Sequence, residues 1–146
     1  MRPILATSDH GPRLRIIGDT VRVLATAVET GGAYEAFETT GPRDSGLPLH
    51  AHPWSESYFI AEGEVDVMVG GESMRATPGA FVHIPAGTFH GHRIASPFAR
   101  FTVITAPGGA SEFFHELDAE TEGSVADMKT IVAVATKHGL TVPSPR

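Results

Sequence analysis

No cysteine occurs among the 146 residues, which excludes a disulfide framework, a thiolate metal site and a thiol nucleophile together. Any metal that this chain holds is held by histidine and carboxylate. Basic residues are also few: 11 Lys and Arg against 17 Asp and Glu give a net charge of −6. They are scattered and form no stripe that could track phosphates, so no nucleic-acid partner is expected. Long apolar runs are missing as well. Met1 to Thr7 offers a single Arg and a short apolar patch rather than the core of a signal peptide or membrane span, so no membrane association and a cytoplasmic location are expected. With 41% hydrophobic residues, a chain of this length suits one compact core, and residues 1–146 are read as a single domain.

Helical periodicity is nearly absent from about residue 13 to residue 106. Short β-rich runs recur there, separated by glycine, proline and acidic turns at intervals of about 8 to 12 residues, the spacing of a sandwich or barrel. The runs are Leu14–Ile17, Thr20–Ala27, Ala33–Thr39, Pro48–His52, Ser57–Ala61, Val65–Val69, Glu72–Ala76, Phe81–Ile84, Phe89–Ile94 and Phe98–Thr105. Gly70-Gly71 predicts a tight hairpin between the sixth and seventh of these, and alternation places Val65, Val67 and Val69 on one face. An all-β fold follows. Beyond Pro107-Gly108-Gly109 the texture becomes helical, and residues of about 110–140 are expected to form short C-terminal helices. Ser111–Leu117 is the first. Ser124–His138 is the second, with Ser124 as N-cap, an apolar stripe of Val125, Met128, Ile131, Val132 and Ala135, and Gly139 as a left-handed cap. Thr141–Arg146 reads as a loosely held tail.

Histidine supplies the chemistry. In an extended segment residues i and i+2 share a face, so His50 and His52 can reach one point inside the fold. Glu56 follows a Pro-containing bend and can add an oxygen to two imidazole nitrogens, a donor set that suits a first-row divalent ion. His90 begins a separate strand after the Pro85–Gly87 turn and brings a third nitrogen from another direction. His92 shares the inward parity of His90. Three roles are open to it: a fourth imidazole ligand in competition with Glu56, a base beside the metal, or a polar wall residue bonded to water. Tyr58 and Ile60 continue the parity of Glu56, and Phe113 and Phe114 stand where they could cap the mouth or anchor the first helix. His10, His83, His115 and His138 lack partners at ligand spacing.

These two segments resemble the paired motifs of the cupin superfamily, of the forms G-x5-H-x-H-x3-4-E-x6-G and G-x5-P-x-G-x2-H-x3-N. His50, His52, Glu56 and Gly63 match the first, with Asp44 where its leading glycine would stand. Gly79, Pro85, Gly87 and His90 match the second, with Ile94 in place of its asparagine. The resemblance implies a small cupin β-barrel of jelly-roll type, one divalent transition metal (Fe, Mn, Ni, Cu, Co or Zn) on His50, His52, Glu56 and His90, and a homodimer.

Three histidines and a carboxylate leave coordination positions open, which favours an enzyme over a structural site. Cupins run many reactions, so the fold does not select one. The apolar inward positions and the lack of a cationic cluster point to a small, hydrophobic, oxygenated substrate. His52-Pro53-Trp54-Ser55-Glu56 is similar to a stretch of small cupin cyclases of aromatic polyketide biosynthesis, so aldol ring closure is the first expectation, with Glu56 or His92 removing a proton. A quercetinase-like dioxygenase is the second, and a non-catalytic small-molecule or metal sensor the third.

Overall fold

Period-two patterning is realised as nine strands in the computed structural model, which describes residues 2–143. They are β1 (Arg13–Ile16), β2 (Asp19–Ala25), β3 (Glu35–Pro42), β4 (Ser55–Glu62), β5 (Val65–Val69), β6 (Glu72–Ala76), β7 (Phe81–Ile84), β8 (His90–Ile94) and β9 (Phe98–Ala106). A six-stranded sheet runs β1-β2-β3-β9-β4-β7 and a three-stranded sheet runs β6-β5-β8. All pairings are antiparallel. Alternation selects the inward side chains: Glu56, Tyr58 and Ile60 from β4, His90, His92 and Ile94 from β8, and Ala99, Phe101, Val103 and Thr105 from β9 are buried. Apolar residues of both sheets join in one buried cluster. The all-β, jelly-roll expectation holds, although the sheets remain an open sandwich and do not close into a barrel.

Pro48–His52 is the expected strand that does not form. Pro48 and Pro53 have no N–H to give to a ladder, and the segment makes only two isolated bridges, His50 to His90 and Ala51 to Thr141. Elsewhere the expected strands appear with ends shifted by a few residues, and Gly70 and Gly71 form the β5–β6 turn with positive φ of 57° and 89°.

Helix α1 (Ala110–Thr121) runs one turn past the expected Leu117. The buried Glu35 carboxylate fastens its start, accepting from the backbone N–H of Gly109 and Ser111 with one oxygen and of Ala27 with the other. Phe114 meets Phe37 edge to face at 5.2 Å, so the helix is anchored on the six-stranded sheet. Helix α2 (Met128–Lys137) starts four residues later than expected. Asp127 rather than Ser124 is its N-cap, accepting from the Thr130 N–H, while Ser124 Oγ accepts from Ala126 N–H in the preceding turn. Val125 and Met128 are consequently exposed, and the buried stripe is Ile131, Val134 and Ala135. Gly139 takes the left-handed cap at φ 83° as expected. The tail is held where it begins: Leu140 is buried, and Thr141 and Ala51 exchange two backbone hydrogen bonds of 2.8 Å. The rest of the expected loose tail, 144–146, lies outside the described residues.

Candidate metal centre

Three separate pieces of chain deliver the donors. His50 and His52 come from the irregular segment before β4, Glu56 from β4 itself and His90 from the first position of β8. One ligand atom from each of the four lies within 4.8 Å of the others, and all four residues are buried. The loop ahead of His50 can lie this close to β8 because glycine stands on both sides of the contact. A Cβ on Gly46 would sit 1.9 Å from the His92 carbonyl oxygen, and one on Gly91 would sit 2.7 Å from the Leu47 carbonyl oxygen. Asp44, at the position of the motif's glycine, has φ 72°, a left-handed conformation that Asp tolerates better than most residues.

Ring orientation is set by the backbone. Nδ1 of His50, His52 and His90 lies 2.7 to 2.8 Å from the carbonyl oxygens of Pro48, Trp54 and Thr88 respectively. A carbonyl only accepts, so each Nδ1 carries the proton and each Nε2 presents its lone pair, the arrangement that fixes a metal-binding tautomer. Trp54 stacks on the His52 ring at 4.5 Å and 13°. The Nε2 atoms of His52 and His90 lie 3.2 and 2.7 Å from Glu56 Oε2. Lone pairs and carboxylate thus converge on one point. A divalent transition ion is the group that this donor set fits, because it replaces nitrogen–oxygen repulsion with shared coordination.

Electrostatics follow from this crowding. Burial, assisted by His90, lowers His50 to about 4, so its ring is neutral at pH 7. Burial opposes the charge on Glu56, but hydrogen bonds from His52 and His90, available only when these rings carry a second proton on Nε2, outweigh it in the metal-free protein and hold the carboxyl below its usual range. Burial works against a charged His90 too, and the contact with Glu56 overcomes it and raises the ring's pKa. Tyr58 is pushed well above the usual tyrosine range, by burial first and then by the Glu56 and Asp19 carboxylates.

His92 stands apart from this group. It shares the inward face of β8 as its parity predicts, but its Nε2 is 2.8 Å from Asp19 Oδ2, a β2 carboxylate that also accepts from Ser45 Oγ. Asp19 was not legible as a site residue, since a lone acidic residue after a glycine turn reads as surface; it is 3% exposed. Tyr58 and Ile60 are buried below the site and Phe113 and Phe114 are packed into the core. Of the four histidines without ligand spacing, His83 pairs with Ser57 and His138 with Glu116.

Comparison with known proteins agrees with this geometry. The family description "Cupin domain" matches residues 36–106. Quercetin 2,3-dioxygenase of Bacillus subtilis (strain 168) is 29% identical over 125 residues, 84% of this chain. The chain spans only 37% of that relative's length. An RmlC-like cupin from Shewanella frigidimarina NCIMB 400 superposes with a TM-score of 0.66 at 18% identity, over 74% of this chain and 94% of the other. KdgF from Halomonas sp. gives 0.65 at 18%, over 73% and 94%. The polyketide cyclase RemF from Streptomyces resistomycificus gives 0.61 at 22%, over 72% and 79%. At these identities the three structures share the fold and say nothing further. Family match, sheet topology and donor arrangement lead to one conclusion: residues 36–106 form a cupin domain.

Proposed function

We propose that this protein is a metal-dependent enzyme that acts on a small, apolar, oxygenated organic molecule, and that its reaction is dioxygenation of an enolic or phenolic substrate. The observation that carries the reading is the set of three imidazoles whose Nδ1 protons are all engaged, leaving three Nε2 lone pairs beside one buried carboxylate. His50, His52, Glu56 and His90 would hold the ion. When bound, a divalent transition metal supplies a Lewis acid for a substrate oxygen and, if redox-active, a partner for dioxygen. The protein's own part is to keep the rings in one tautomer, to exclude bulk water with Trp54, Tyr58 and Phe101, and to set a dry wall around the substrate. Similarity to a quercetin 2,3-dioxygenase supports oxygenation over other cupin reactions.

Aldol ring closure is the second reading, favoured by the His52-Pro53-Trp54-Ser55-Glu56 stretch. It needs no dioxygen, so oxygen uptake separates the two. Metal-loaded protein is supplied with quercetin in an oxygen electrode, and the proposal expects one dioxygen consumed per flavonol lost. Turnover of a poly-β-ketone under argon, with no oxygen uptake on the flavonol, would select ring closure. Ligand-dependent thermal stabilisation without turnover of either would leave a binding module.

A further inference from the structure

Two cavities border the candidate metal centre, and they share one lining residue. The outer one is a cleft beneath the helices, walled by Ile17, Leu49, Phe113, Ile131, Ala135 and Leu140 and reaching His50. It offers about 40 Å³ to the centres of water-sized molecules, and among the described residues no charged side chain lines it. The inner one lies between the sheets, reaches Glu56 and is lined by Asp19, Tyr58, His92, Phe37 and Phe101 among others. As it stands it has room for about one water. Leu47 lines both.

The inner cavity contains an unanswered polar atom. Nε2 of His92 is engaged by Asp19, and a carboxylate only accepts, so the ring proton lies on Nε2 and Nδ1 presents a lone pair. Nδ1 is fully buried and has no partner among the described residues. A buried acceptor without a donor is costly, and an incoming O–H relieves that cost. Leu47 stands beside this atom's own strand, because its carbonyl oxygen accepts from the backbone N–H of His92 at 3.0 Å. Its side chain is only half-buried. Ile17 across the cleft holds φ 48° in the β1–β2 turn, a conformation that β-branched residues avoid, and thereby keeps its side chain on the cleft wall.

We propose that cleft and cavity are the two halves of one substrate pocket, that Leu47 is the gate between them, and that His92 Nδ1 accepts a hydrogen bond from a hydroxyl on a neutral, fused-ring aromatic substrate. The proposal rests on the substrate class named above and deepens it. The apolar cleft takes the ring system, and its apolar lining among the described residues selects against phosphorylated or carboxylated molecules. Passage of the hydroxyl-bearing end past Leu47 brings it next to both His92 and Glu56. His92 acts here as a specificity-determining acceptor, in a fixed tautomer set by Asp19.

Equilibrium binding to the full-length protein as purified, followed by naphthalene fluorescence, tests this with 2-naphthol and its methyl ether, which differ in the hydroxyl proton. Wild type is expected to prefer the naphthol three- to tenfold. Leu47→Trp should weaken both ligands at least tenfold, and Leu47→Ala should bind both at least as well as wild type. His92→Phe should abolish the preference while leaving the ether within about twofold. His92→Leu, a smaller apolar side chain that likewise offers no acceptor, is the second variant and should also lose the preference. Retention of the preference in both His92 variants, as a hydroxyl bound on the metal alone would give, overturns the proposal. Wild-type affinity in Leu47→Trp, or no binding of naphthol at millimolar concentration, also overturns it. These readouts do not depend on turnover, so failure of the enzymatic reading leaves them interpretable.

Discussion

His50 and His90 exchange both of their backbone hydrogen bonds, each N–H donating to the other's carbonyl oxygen at 2.9 Å. Two imidazoles from distant parts of the sequence are thereby placed with ring centroids 4.4 Å apart, independently of any bond between their side chains. The backbone therefore preorganises the centre, and the side chains can be exchanged without dismantling it.

Glu56 and His92 are distinguished by their partners. Glu56 sits among the donors, whereas His92 is tied to Asp19. Glu56→Gln is expected to weaken metal binding at least tenfold, because an amide oxygen is a poorer donor than a carboxylate. His92→Ala should keep its metal. Titration of chelator-stripped protein with zinc measures both, and the reverse pattern would move the fourth ligand to His92.

The contact between the 46–49 loop and β8 tolerates no side chain at Gly46. A methyl group there would lie 1.9 Å from the His92 carbonyl oxygen, and backbone must move to relieve it. Gly46→Ala is expected to cost at least about 2 kcal/mol in urea unfolding. An unchanged midpoint would show that the loop does not rest on β8 as described.

Most of the strand positions were legible because alternation directly reports burial, and the residues that gather at the centre were singled out by i, i+2 parity together with the resemblance to the cupin motifs, which left Glu56 and His92 as alternatives. What the sequence concealed was pairing at a distance. The His50 segment is placed by single bridges to His90 and Thr141 rather than by a ladder, which no local pattern encodes. Asp127 displaced Ser124 as the cap because its side chain reaches Thr130, while Ser124 turned back on Ala126. Asp19 became a site neighbour only through a hydrogen bond spanning 73 residues.

Thr141 pairs with Ala51, between two of the donors, so the end of the chain acts on the centre. Ending the chain after Pro143 should leave stability unchanged. Ending it after Gly139 removes buried Leu140 and the Thr141 bridge and is expected to cost about 2–4 kcal/mol, together with a weaker affinity for metal. Equal melting temperatures for the two truncations would contradict this.

In the metal-free protein His50 is held near 4 by burial, below the ordinary value of about 6.5. Between those values the unfolded chain takes a proton at position 50 and the folded chain does not, so this residue's contribution to stability falls as pH falls. The loss is roughly 2 kcal/mol between pH 7 and pH 5. His90, with its pKa raised, acts in the opposite sense: its contribution is present at low pH and is lost as pH rises through its folded value. His50→Phe removes only the first effect. Urea midpoints of the stripped proteins at pH 7 and pH 5 should therefore fall further for wild type than for the variant, and equal falls would refute the buried, neutral state of His50.

The four-donor centre is tested most directly by elemental analysis of wild type and of His50→Ala, His52→Ala and His90→Ala, purified alike and measured at equal protein concentration. Wild type is expected to carry about one divalent transition ion per chain, and each variant less than about a tenth of that, because the donors left behind cannot replace a lost nitrogen. The variants should keep the far-ultraviolet circular dichroism of wild type. Full metal content in any two of the three would contradict the assignment.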